Sequence, residues 1–362
     1  MGNSLRPNAV SPPKEEMRGV SLGRYLDVST NHKYAKFQVA KKLPANFSER
    51  DSEENLWKLH ARLTEKFYHL ESDLDSGKVK LKDLEDPHKS YLDLKVEIAK
   101  RILVGCRFCM RHCGVNRLKG EKGVCGCGKE VAVSTFFAHM GEEAEVVPSG
   151  TIFTCGCTLK CLHCQNWTIS QWEEKGDTYT SRLLAGVMEL LREQGCRNAN
   201  LVGGDPTPWL EQWLEAFRYV KVSVPVIWNS NSYYSPETAN LLAGFIDLYL
   251  LDLKYGDNQC AERISGVKNY VETARLNHLH AAKYGELLIR VLLLPDHFEC
   301  CGKPTLKWIA EKLGANTRVN IMDQYRPEWR AHEISELRRH LPREQYRAAL
   351  DYAAEIGLRN LG

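Results

Sequence analysis

The chain has 362 residues, 43% of them hydrophobic and 26% charged, with 49 basic against 46 acidic side chains and a net charge of +3. That is the make-up of an ordinary soluble globular protein, long enough for one full-sized domain plus an extension. It is too evenly charged to argue for nucleic acid or an anionic membrane surface as the main partner.

No run approaches the ~20 apolar residues of a membrane span, and the start lacks the basic-then-apolar order of a secretory leader. Met1-Gly2 has the look of an acylation start, but Arg6 stands where Ser or Thr is wanted, so none is expected. Residues 1 to about 35 hold Pro7, Pro12 and Pro13 among scattered charges, which reads as a tail or wrapping arm. From Glu53 to Leu74 the residues Leu56, Leu59, Leu63, Phe67 and Leu70 recur every three or four positions and predict an amphipathic helix. Ser90–Leu103 predicts a second, with Leu92, Val96, Ile98 and Ala99 inward. This extension, residues 1–103, shows no chemistry and is expected to brace the main domain.

Residues 104–150 follow as a cysteine-rich knuckle with lead-in strands. Of the 13 cysteines, none precedes Cys106 and nine fall between Cys106 and Cys164. A disulfide-stapled secreted chain spreads its cysteines to close loops. Cysteines two to four residues apart have metal-ligand spacing, so the chain is expected to be cytoplasmic and reduced. Cys106, Cys109, Cys113 and Cys125 on glycine-rich turns, with Cys127 spare, suit a closed zinc site or an auxiliary iron–sulfur cluster. The spacing does not choose between them.

From Thr151 onward, apolar runs alternate with helical stretches. Expected strands are Thr151–Cys155, Ala199–Val202, Val224–Trp228, Asp247–Leu253, Leu287–Leu293 and Arg318–Met322. Expected helices are Ser181–Gln194, Trp209–Tyr219, Pro236–Ala243, Tyr270–Tyr284, Thr305–Leu313 and Arg343–Ile356. Six such units over residues 151–362 predict an α/β fold, an open (β/α)6 partial barrel whose chemistry sits just after the C-terminal end of each strand.

The first of those strands runs into Cys157-x3-Cys161-x2-Cys164. A compact loop with three thiolates leaves one iron of a cuboidal cluster without a protein ligand, an open position where a small molecule can bind. A four-coordinate zinc site completed by Cys155 is the alternative.

This loop resembles the signature of the radical S-adenosylmethionine (SAM) superfamily. The resemblance implies a 4Fe-4S cluster on Cys157, Cys161 and Cys164 with SAM on its open iron. Reductive cleavage of SAM would then give methionine and a 5′-deoxyadenosyl radical that abstracts hydrogen. It implies SAM contacts from His163, which stands where the family usually has an aromatic residue, and from the Gly203-Gly204-Asp205-Pro206 turn, where Asp205 replaces the usual Glu. Asn229 and the Asp252–Lys254 pair are further implied contacts, against which stand an ordinary Asx turn and a structural ion pair.

The knuckle joined to the barrel, with segments such as Cys164–Gln171, Tyr249–Tyr255 and Met322–Trp329, is similar to a branch of pyruvate formate-lyase activating-enzyme homologues with an N-terminal cysteine motif. That branch implies an electron donor such as ferredoxin or flavodoxin and a protein or peptide substrate, including a glycyl-radical enzyme. A non-enzymatic iron–sulfur or zinc scaffold is one alternative. An RNA-modifying radical enzyme is another, weakened by the lack of a basic, aromatic-rich stripe. Cys196, Cys260, Cys300 and Cys301 show no ligand spacing and are expected to pack, with a role at the barrel mouth open for the last two. Tyr325 and Arg326, after the sixth strand, could face substrate.

Overall fold

The computed structural model of the chain describes residues 22–362; the acylation-like start and most of the expected tail lie outside them. Four helices come first: α1 (Gly23–Ser29), α2 (Lys36–Lys42), α3 (Glu53–Asp75) and α4 (Tyr91–Val104). Ser52 caps α3 by accepting from the Asn55 amide, and Ser90 opens α4 in a reciprocal box with Asp93. The remainder runs β1 (Val131–His139), β2 (Ser149–Thr154), α5 (Trp167–Ser170), β3 (Asp177–Tyr179), α6 (Ser181–Glu193) and β4 (Asn198–Leu201). Then come α7 (Leu210–Phe217), β5 (Val226–Ser230), α8 (Pro236–Leu242), β6 (Leu248–Asp252), α9 (Asn258–Ser265) and α10 (Tyr270–Tyr284). The chain ends with β7 (Glu286–Leu292), α11 (Lys303–Lys312), β8 (Arg318–Met322) and α12 (Arg343–Glu355).

One eight-stranded sheet has the order β3-β1-β2-β4-β5-β6-β7-β8. The six strands from β2 to β8 are parallel and follow one another in sequence, as expected, while β1 and β3 add an antiparallel edge. Because the strand order never reverses, every crossover helix falls on the same face. The outer residues Tyr249, Leu251, Ile289, Val291, Val319 and Ile321 pack in the main core with those helices. The opposite face curls on itself, consistent with a partial barrel.

Two segments close that interior. The β1–β2 connection spans the seam to the last strands, with Glu143 and Glu142 paired to Arg290 of β7 and Glu145 paired to Arg318 of β8 at 2.7 Å. At the base, α1 lays Tyr25 and Leu26 against Ile227, Leu248, Leu250 and Leu288, the inward residues of β5, β6 and β7. Arg24 pairs with Asp247 at 3.3 Å, and its amide donates to Glu286 at 3.0 Å. The stretch from residue 22 to residue 29 is therefore a plug in the core rather than a tail. No helix among the described residues is long and apolar enough to cross a membrane.

Candidate active site

The loop after β2 has to leave the strand and turn back over the barrel mouth. It does so at Gly156 (φ +89°), where a Cβ would meet Cys127 Sγ at 2.3 Å. Cys157, Cys161 and Cys164 then line one wall of a cavity of about 600 Å³ at the C-terminal ends of the strands. Each sulfur has a hydrogen-bond partner. Asn231 Nδ2 donates to Cys157 Sγ at 3.5 Å and the Leu159 amide does so at 3.4 Å. Ser265 Oγ donates to Cys161 Sγ at 2.9 Å, and Ser170 Oγ lies 3.2 Å from Cys164 Sγ. Burial pushes the Cys157 thiol well up and the Cys161 thiol up to about 11, so coordination rather than solvent must remove these protons.

This donor set fits a cluster better than zinc. Cys155, the alternative fourth ligand, is buried against Ala132 and Ile169 and does not line the cavity.

His163, Gly203, Gly204, Asn229, Asp252 and Lys254 all line the same cavity. His163 Nε2 lies 3.4 Å from Tyr255 Oη, and burial, then Lys254, hold the ring down to about 3, hence neutral. Burial alone would lower Lys254, but Asp252 at 2.6 Å and Cys161 outweigh it and keep the ammonium charged.

Asp205 and Pro206 do not reach the cavity. Asp205 is buried behind it, accepting from Ser230 Oγ at 2.8 Å, Thr158 Oγ1 at 3.2 Å and the Asn231 amide at 3.3 Å. Its burial raises the carboxyl, and those donors offset part of the rise. Asp205 thus ties the end of β5 to the cysteine loop. The glycines serve the same joint. A Cβ on Gly203 (φ +113°) would meet Thr154 Oγ1 at 2.2 Å, and one on Gly204 would meet the Gly156 carbonyl at 2.4 Å. They let the β4 turn press on the cysteine loop.

The opposite wall was not anticipated from sequence. Arg290 binds Glu143 through Nε at 2.8 Å and Nη2 at 2.6 Å and also pairs with Glu142; Asn320 Nδ2 donates to Glu143 at 2.8 Å. His139 Nδ1 lies 3.2 Å from Glu142. All five line the cavity. Their sequence signal is weak: Arg290 and Asn320 are polar interruptions in otherwise apolar strands. Gln324 lines the mouth, whereas Tyr325 donates to the Leu337 carbonyl at 2.6 Å and Arg326 pairs with Glu328 at the surface.

In the knuckle, Cys109 has Cys125, Cys106 and Cys113 near enough to disfavour its thiolate, on top of burial. Cys125 is instead drawn down to about 6, first by a hydrogen bond from Cys127 and, against burial, by Arg117. The fully buried Arg117 donates to the Gly128 carbonyl at 2.9 Å and stacks over Trp209, fastening the knuckle to the turn after β4. Cys127 is not idle, since its thiol lies 3.8 Å from the Cys155 carbonyl under the cysteine loop.

Residues 151–309 match the family model described as the radical SAM superfamily. The chain belongs to that superfamily, whose members use a 4Fe-4S cluster and SAM. It is 41% identical over 345 residues to uncharacterized protein MJ0674 of Methanocaldococcus jannaschii, covering 94% of this chain and 98% of that one. So wide an alignment takes in most of the N-terminal extension. Uncharacterized protein MJ0808 of the same organism is 27% identical over 124 residues, 30% of this chain and 37% of that protein. Among solved structures, SuiB of Streptococcus suis bound to SAM aligns with a TM-score of 0.41 at 15% identity, over 57% of this chain. The aligned part spans 47% of SuiB, about half its length.

Proposed function

We propose that Cys157, Cys161 and Cys164 hold the 4Fe-4S cluster of a radical SAM enzyme that abstracts hydrogen from a protein or peptide. The observation that carries this reading is the single cavity into which those three thiols open together with His163, Asn229 and the Asp252–Lys254 pair. When bound, the cluster and SAM supply a 5′-deoxyadenosyl radical by reductive cleavage. The chain's own residues bind and orient. Lys254 presents a fixed positive charge suited to the SAM carboxylate. Gly203 and Gly204 expose backbone beside it, and neutral His163 offers a flat face for the adenine.

The far wall, with Arg290 neutralised by Glu142 and Glu143, is then the substrate side. A peptide substrate is supported by the rim. Phe137 near the end of β1 and Met140 just beyond it are 41% and 65% exposed, beside His139 and Gly141 of the cavity in the chain. Activation of a glycyl-radical protein is the narrower form of this reading, with an electron donor such as ferredoxin or flavodoxin. The test is anaerobic reconstitution with iron and sulfide, then dithionite and SAM, with 5′-deoxyadenosine as the readout. Wild type is expected to form it and Cys161→Ala to form none. Equal product from both would sink the assignment of the cluster.

A further inference from the structure

Outside the cavity, Cys260 on α9 meets His297, Cys300 and Cys301 on the wide turn after β7. Among the described residues these four are the one group of His, Cys, Asp or Glu side chains whose ligand atoms all lie within 4.8 Å of one another. Cys260 Sγ is 3.5 Å from His297 Nδ1 and 3.7 Å from Cys300 Sγ. Cys300 Sγ is 3.3 Å from His297 Nδ1 and 3.9 Å from Cys301 Sγ.

Those distances discriminate. A tetrahedral ion with Zn–S of ~2.3 Å and Zn–N of ~2.0 Å sets its ligand atoms about 3.5–3.8 Å apart, which the four edges bracket. A disulfide would need sulfurs ~2.05 Å apart. A polynuclear cluster spreads its thiolates over different irons and holds them wider. Three soft thiolates and one imidazole are a zinc set.

The surroundings also suit an ion. His297 Nε2 lies 3.4 Å from Glu336 Oε1, so an Nε2–H can donate to the carboxylate and leave the Nδ1 lone pair facing the sulfurs. Arg263 pairs with Glu336 at 2.6 Å and lies 3.4 Å from His297 Nε2, a positive charge beside a site that three thiolates would make net negative. Asp257 caps α9 by accepting from the Gln259 and Cys260 amides, which fixes the first turn where Cys260 sits.

We propose that Cys260, His297, Cys300 and Cys301 form a structural zinc site that ties α9 to the turn Phe298–Gly302. The tie matters for what α9 holds at its other end. Ser265 donates to Cys161 Sγ, and the carbonyls of Ser265 and Ile264 accept from the Lys160 and Leu162 amides at 3.0 and 2.9 Å. Zinc at one end of the helix thus steadies the cysteine loop at the other.

The test counts zinc and iron per chain by mass spectrometry in wild type, in Cys260→Ser with Cys300→Ser, and in Cys161→Ala. Any zinc in the knuckle is common to all three and cancels. The double variant is expected to hold about one zinc fewer than wild type, and Cys161→Ala to keep it. Equal zinc in wild type and the double variant, or no zinc in wild type, overturns the site, as does a loss of iron in place of zinc. If the double variant does not fold, Glu336→Gln decides, because all four ligands remain. Competition with a chelator should then read zinc held about 10–100-fold more weakly, and an unchanged curve overturns the proposal. The metal count does not depend on whether the cavity cleaves SAM.

Discussion

Burial pushes the Glu143 carboxyl up, but the hydrogen bonds and charge of Arg290, with help from Asn320, outweigh it and hold the group down to about 2 against an ordinary 4.5. A carboxyl lowered by folding stabilises the native state fully above its ordinary range, and that contribution drains away as pH falls toward the folded value. It amounts to roughly 3 kcal/mol. The urea unfolding free energy of wild type should therefore drop between pH 5 and pH 3 more steeply than that of Glu143→Gln. Parallel curves would remove Glu143 from the account. None of this was legible beforehand. Cys157, Cys161 and Cys164 announce themselves because their spacing is local, whereas Glu142, Glu143, Arg290 and Asn320 converge from three separate segments. The Gly203–Pro206 turn was visible as a motif, but its duty was not. Only the packing reveals that Asp205 bonds to Thr158 and Ser230 and that the glycines make room for Thr154 and Gly156.

The joint between β2 and β4 depends on the absence of side chains. Gly203→Ala would force a Cβ to 2.2 Å from Thr154 Oγ1 and 2.4 Å from the Thr154 carbonyl, at a φ of +113° that disfavours any L side chain. Strand backbone cannot retreat as a flexible side chain can, so the substitution should cost about 3 kcal/mol or more, read as a lowered denaturation midpoint. A midpoint within error of wild type would mean that the turn can rearrange. The six parallel strands were readable because strands covered by helices on one side and closed on the other are apolar nearly throughout. The short strand β3 and the helix α9 were not. Asp177–Tyr179 is three residues long, and α9 buries only Ala261, Ile264 and Ser265 within a polar octet, too little for a period to show. Missing α9 also hid the convergence of Cys260 with Cys300 and Cys301, whose separation in the chain gives no ligand spacing.

Closure of the barrel falls to segments outside the six strand–helix units. Tyr25 is fully buried in the plug, and Asn198 Nδ2 donates to its hydroxyl at 2.8 Å. Removing its ring by Tyr25→Ala should cost about 3–5 kcal/mol and be visible in thermal unfolding. A loss under about 1 kcal/mol would return α1 to the status of a surface arm. Composition alone hid the plug, because a single short helix among prolines and charges shows no sustained period, while its apolar face is matched only by residues far along the chain. Among the described residues, with α1 across the base and residues 142–145 across the seam, the barrel is a cup whose doorway lies at the ends of the strands. A small molecule held in the cavity against the wall of three cysteines would have to enter before a larger one filled that doorway, and leave after it. The architecture imposes a queue.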